Sequence, residues 1–302
     1  MPLLTSRAAV PFFTGTSSLL GVSAALPAIS ALLLGTIFFL LLLHRYWLSR
    51  LEPQPRSLGA SPVRKVATAA LGALALAVFS ILLPAVAGSF RSASPGWSAF
   101  VSTGSDAAPA GPFRVLSAFL LQSLSEELLF RGVLMGGLGV LLLWLLSFVT
   151  VHALPGEPPG SPRLQAARHR TWLLAGLLAN AVQSVLFMAV HGANPGVTPL
   201  ASLNIGLAGF VLGWLFWSQG SLFGAWAWHF VWNFSLAAAG LPVSGVLTTP
   251  ALLPLGIAGA RPGLLSGGSF GPEASLGCTA GLLALLGLLL HASRRTPGPD
   301  GT

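Results

Sequence analysis

The chain is short of charge. Of 302 residues, 15 are basic and 7 are acidic. An average soluble domain of this length carries roughly three times as many. A soluble fold needs a charged surface, and this chain cannot build one, which excludes a globular soluble protein. It equally excludes a disordered chain, a secreted disulfide scaffold and a nucleic-acid-binding domain. The single cysteine, Cys278, rules out an intramolecular disulfide and a cysteine-based zinc site. Lysine is nearly absent too, with Lys65 alone beside fourteen arginines. That imbalance reads as coding composition, not as function.

What the chain has in abundance is apolar surface: 54% of its residues, with a mean hydropathy of +0.80. Only a polytopic helical membrane protein fits. Apolar runs alternate with Gly/Pro/Ser-rich breaks. They fall at about 18–43, 66–90, 113–153, 171–190, 199–217, 221–239 and 276–292. At about 20 residues per span, that gives seven to eight spans of an all-α bundle with a polar intramembrane cavity. The stretch 154–170 reads as a Pro/Gly/Arg-rich loop, and 240–275 as too broken for a helix. Three parts result. Residues 1–112 hold N-terminal spans and a basic loop, 113–292 a helical core, and 293–302 a polar tail.

Charge orients the spans. Residues 45–65 hold five basic side chains against Glu52. Residues 154–170 hold Arg163, Arg168 and Arg170 against Glu157, and the tail holds Arg294 and Arg295. The positive-inside rule puts all three in the cytoplasm. Residues 113–153 must then cross an odd number of times: one long, bent or partly re-entrant segment satisfies this, and the alternative, a pair of spans, places one basic loop outside. The composition points to a bacterial cytoplasmic membrane.

Two of the seven acids are adjacent inside an apolar run: Leu124-Ser125-Glu126-Glu127-Leu128-Leu129-Phe130-Arg131. An ionised group at membrane depth costs about 2.5–3.5 kcal/mol on insertion scales. It is kept where it pairs, lines a wet cavity or works. Glu127 and Arg131 stand four apart with Glu first, the favourable order for an ion pair on one helix face. Glu126 points about 100° away. Glu127 is therefore read as the structural acid and Glu126 as the working one. Two histidine pairs share the four-residue spacing: Phe187 with His191, and His229 with Asn233. Residues so spaced stack on one helix face, so His229 and Asn233 can aim at one point. His44, His152, His169 and His291 lie at run ends or in loops and read as interfacial.

Glu-Glu-x-x-x-Arg, Phe-x-x-x-His and His-x-x-x-Asn, in that order on apolar segments, resemble the CPBP intramembrane protease family. That family includes Rce1-type CAAX prenyl endopeptidases and the bacterial Abi proteins. The resemblance covers about residues 113–292. Leu241-Pro242-Val243-Ser244-Gly245 and the Gly267–Glu273 stretch resemble its bacterial branch. The gap from Arg131 to His191 is longer than the family pattern, by the loop at 154–170.

Peptide hydrolysis needs an activated water and a stabiliser for the oxyanion. The chain has no Gly-x-Ser-x-Gly elbow and no His-Glu-x-x-His. Cys278 is remote in sequence from every motif. A carboxylate, two histidines and an asparagine remain. Glu126 can take a proton from water, His191 can orient that water, and His229 with Asn233 can donate to the oxyanion. The resemblance implies the same assignment, with Glu127, Arg131 and Phe187 in support. The expected substrate is a peptide or protein, membrane-associated or lipidated, with the bilayer as the other partner and no nucleic acid. No cofactor is expected. Zinc held by Glu126, His191 and His229 is the alternative. A silent scaffold or immunity-type protein on the same fold, and a proton-relay transporter, are the other readings. The transporter should show repeat symmetry between halves, and none is visible.

Overall fold

A computed structural model describes residues 62–86, 90–92, 112–158, 160–247, 255–257 and 263–294. The apolar run at 18–43 and residue 295 lie outside the described residues. Helix α1 is Pro62–Val86. Helix α2 is Pro112–Glu127, and it continues through a π-helical stretch, Leu128–Met135, into α3, Gly136–Ala153. Then come α4 (Pro162–His191), α5 (Pro199–Gln219) and α6 (Leu222–Ala238). A one-turn helix α7 (Gly263–Ser266) and two 3-10 turns (Gly268–Phe270, Pro272–Ala274) lead into α8, Leu276–Arg294. Two three-residue strands, β1 (Phe90–Ser92) and β2 (Leu255–Ile257), pair antiparallel with Phe90 opposite Ile257.

Local chemistry sets the helix starts. Ser161 accepts a hydrogen bond from the Leu164 amide, and Thr198 from that of Ala201; a proline follows each cap. Capping oxygens satisfy the unpaired first amides, and proline loses nothing at that position. The loop read from sequence as 154–170 is therefore shorter. The cap at Ser161 starts α4 at Pro162, so Arg163, Arg168 and Arg170 stand on its first turns. Gly220 ends α5 with φ +61, and Ser221 caps α6. Residues 116–153 form one unbroken helical stretch. A pair of spans there would need a turn, so the single long segment is the one present.

Three of the helices, Leu116–Ala153, Pro162–His191 and Pro199–Gln219, are long and apolar enough to cross a membrane. Their outward faces are apolar, with Phe148, Val149, Val185 and Val190 exposed. The interior holds the polar side chains: Glu127, Arg131, Asn180, Gln183, Asn204, His229 and Asn233 are all buried. This inversion suits a helical bundle in lipid. α4 packs on α5, and α1 on α6. Close approach of α4 to α5 needs Gly213, where a Cβ would stand 1.9 Å from the Asn180 Oδ1 atom. Small residues at such crossings let polar side chains reach backbone carbonyls. Asn180 donates to the Phe210 carbonyl at 2.9 Å, and Gln183 to that of Gly209 at 2.9 Å.

Candidate active site

Three segments meet where α4 ends. The π-helical stretch begins directly after Glu127, so the acid pair lies at a change of helical pitch. Such bulges recur at functional sites because they re-aim side chains. The four-residue spacing still forms its ion pair: Arg131 Nη1 donates to Glu127 Oε1 at 2.8 Å, both side chains fully buried. Arg131 Nη2 donates to the Gly209 carbonyl at 3.2 Å. The Phe187 ring lies 4.5 Å from the guanidinium carbon, a cation–π contact. Phe187 thus joins the ion pair to the first histidine, whose ring lies 4.4 Å from its own.

Both histidines are pinned by one nitrogen. His191 Nδ1 lies 2.7 Å from the Phe187 carbonyl, which can only accept, so Nδ1 carries the proton. His229 Nδ1 lies 2.8 Å from Glu127 Oε1, which already accepts from Arg131, so Nδ1 donates there too. The opposite nitrogens converge. His191 Nε2 and His229 Nε2 each stand 3.8 Å from Glu126 Oε2. Glu126 is held by Gln122 Nε2, 3.1 Å from its Oε1. Its Oε2 is buried and takes no hydrogen bond from the described residues. A separation of 3.8 Å is too long for a direct bond, but two polar groups that far apart can share one water.

A cavity of about 440 Å³, including the space at its mouth, opens beside this cluster. His191, His229 and Asn233 line it, together with Trp228, Trp232, Asn204, Ser244, Glu273 and Cys278. Asn233 is buried and makes no side-chain hydrogen bond among the described residues, so its amide is available to a ligand. The structure thus brings Glu126 and the two histidines together, and Asn233 shares the histidines' cavity, of which Glu126 is not a lining residue.

Cys278 is not remote in space. Sequence distance hid its place because α8 is the last helix, yet it packs on α5 and puts the thiol in the cavity wall. Glu273 was also missed. Its Oε1 accepts from Trp232 Nε1 at 3.0 Å, and its Oε2 from Ser244 Oγ at 3.0 Å and from the Ser244 amide. Ser244 has φ +48 and Gly245 φ +82, the turn between bridged Val243 and Val246. Non-glycine residues rarely adopt that conformation, and both Ser244 donors bind Glu273 in it. A lone acid in a Gly/Pro-rich stretch was the signal available.

A carboxylate and two oriented imidazoles thus lie together at one end of an apolar helical bundle. Residues 108–235 match the family model described as Type II CAAX prenyl endopeptidase Rce1-like. Over that stretch the chain is similar to the CPBP/Rce1-type family of CAAX-type intramembrane proteases. The matched stretch contains Glu126, His191, His229 and Asn233 and stops short of Ser244, Glu273 and Cys278. No curated protein and no solved structure matches the chain.

Proposed function

We propose that this protein is an intramembrane endopeptidase that hydrolyses a peptide bond with a water activated by Glu126 and His191. The observation that carries the reading is the convergence of both Nε2 atoms on Glu126 Oε2, each at 3.8 Å. Water held there gives a proton to Glu126 as its oxygen attacks the scissile carbonyl. Asn233 Nδ2 and an N–H at His229 Nε2 donate to the oxyanion. Collapse breaks the C–N bond, and Glu126 returns the proton to the leaving amine. Glu127 and Arg131 hold the His229 ring in place.

The same reading makes the reaction metal-free. Amides are poor zinc ligands and good oxyanion donors, so a His-Asn pair on one wall suits hydrogen bonding. Among the described residues, no group of three His, Cys, Asp or Glu is arranged to hold a metal. The test uses purified protein in nanodiscs with quenched fluorogenic peptides, farnesylated CAAX and unlipidated. Glu126→Gln should lower turnover by about 10²–10⁴ while the protein still melts cooperatively. Near wild-type cleavage by that variant would remove Glu126 from the mechanism.

A further inference from the structure

The helix directions tie the site to one side of the membrane. Arg163, Arg168 and Arg170 stand at the start of α4, and His191 is its last residue. The 21 residues from Arg170 to His191 rise about 31 Å at 1.5 Å each, the thickness of a hydrocarbon core. The arginines and the catalytic histidine therefore occupy opposite interfaces. The other elements agree. α5 begins at the His191 end and α6 finishes there, after a two-residue turn at the far end. Ser244 and Glu273 lie in the segment between α6 and α8, so α8 starts at the site end and runs away from it. β1 follows α1 and pairs with β2 of that same segment, so α1 also finishes there.

All three basic clusters consequently lead to the end opposite the site. The chain enters α1 with five basic residues in 45–65; α4 starts with three; α8 leads to Arg294 and Arg295. At the site end, 192–198 holds no charge, 87–111 holds Arg91 against Asp106, and 239–275 holds Arg261 against Glu273. Basic residues near span ends are retained on the cytoplasmic side. We infer that the cavity lined by His191, His229 and Asn233 opens on the non-cytoplasmic face of its membrane. If the site is a protease, as proposed above, its substrate class is exported polypeptide, cut beside its membrane anchor on that face. A tail carried on the cytoplasmic surface would meet the wrong end of the bundle.

Cysteine accessibility tests the orientation without using activity. The native Cys278 is buried, so it stays in place as an internal control. Three single variants carry a reporter at exposed positions: Ala193→Cys and Ser269→Cys at the site end, and Ala166→Cys at the other. A membrane-impermeant sulfonated maleimide is applied to intact bacterial cells and to permeabilised ones. Ala193→Cys and Ser269→Cys should label in intact cells, and Ala166→Cys only after permeabilisation. The reverse pattern overturns the inference, whether or not the protein cuts peptides. Spheroplasts and inverted vesicles are then given an impermeant fluorogenic peptide. Cleavage by spheroplasts supports the substrate class, and cleavage confined to inverted vesicles refutes it. Absence of cleavage in both, with the labelling as expected, strikes the protease reading and leaves the orientation standing.

Discussion

Replacing Arg131 by Met keeps an apolar stem of similar length and deletes the guanidinium. That group is fully buried, 2.8 Å from Glu127 Oε1, 3.2 Å from the Gly209 carbonyl and 4.5 Å from the Phe187 ring centre. The carbonyl loses little, because Gln183 Nε2 still donates to it at 2.9 Å. The larger cost is Glu127, left as a buried carboxylate with His229 Nδ1 as its remaining hydrogen-bond partner among the described residues. Breaking one side of a buried pair costs about 3–5 kcal/mol in soluble proteins. For a chain of this size that lowers the melting midpoint on the order of 10 °C. Tryptophan-detected thermal unfolding in nanodiscs reads it. The double variant Glu127→Gln/Arg131→Met removes the orphaned charge, while the Gln oxygen still accepts from His229. It should recover at least half of the lost stability, since neutral replacements of buried pairs are well tolerated. The reasoning fails if Arg131→Met melts with wild type, or if the double variant melts no higher than the single one.

Cleavage should survive exhaustive chelation; loss of turnover restored by zinc, with one metal bound per chain, would favour the metalloprotease reading. Cys278→Ala should keep turnover, because the reading above gives the thiol no chemical step although it lines the cavity; inactivity of a variant that still melts cooperatively would make Cys278 a nucleophile. Glu273→Gln should destabilise the Ser244 turn by about 1–3 kcal/mol, as an amide cannot accept from all three donors. Faster hydrogen exchange at the Ser244 amide is the readout, and unchanged exchange would show that the carboxylate does not hold the turn.

Much of the bundle could be read from order and spacing. The apolar runs give the spans, but the helix start at Pro162 falls inside the stretch 154–170 read as a loop, because its first turns are polar and basic. Glu127 and Arg131 are legible because their contact is local: four residues apart on one helical segment, they meet whatever else the chain does. The π-helical pitch from Leu128 onward is not legible, since its apolar sequence suits an α-helix equally well. Nor are Cys278 and Glu273, which reach the cavity through packing of α8 on α5 and through a turn at Ser244. Local periodicity carries no record of which helices cross.

The contact with the largest consequence is of that unreadable kind: His229 to Glu127, 102 residues apart in the chain. Spacing alone divides the acids into one structural and one working residue. Geometry makes Glu127 serve both sides, neutralised by Arg131 through the same Oε1 that accepts from His229 Nδ1. With Nδ1–H committed there, a neutral His229 offers only a lone pair at Nε2 and can accept from water. It donates to an oxyanion only as the imidazolium. Asn233 is different, since its amide donates in every protonation state. The His229–Asn233 pair is thus one permanent donor and one conditional donor. Asn233→Asp tests this division: an acceptor-only carboxylate replaces the permanent donor, and turnover should fall by about 10²–10³, the cost of one oxyanion-hole donor. Wild-type turnover by that variant would leave His229 as the sole donor and refute the assignment of Asn233.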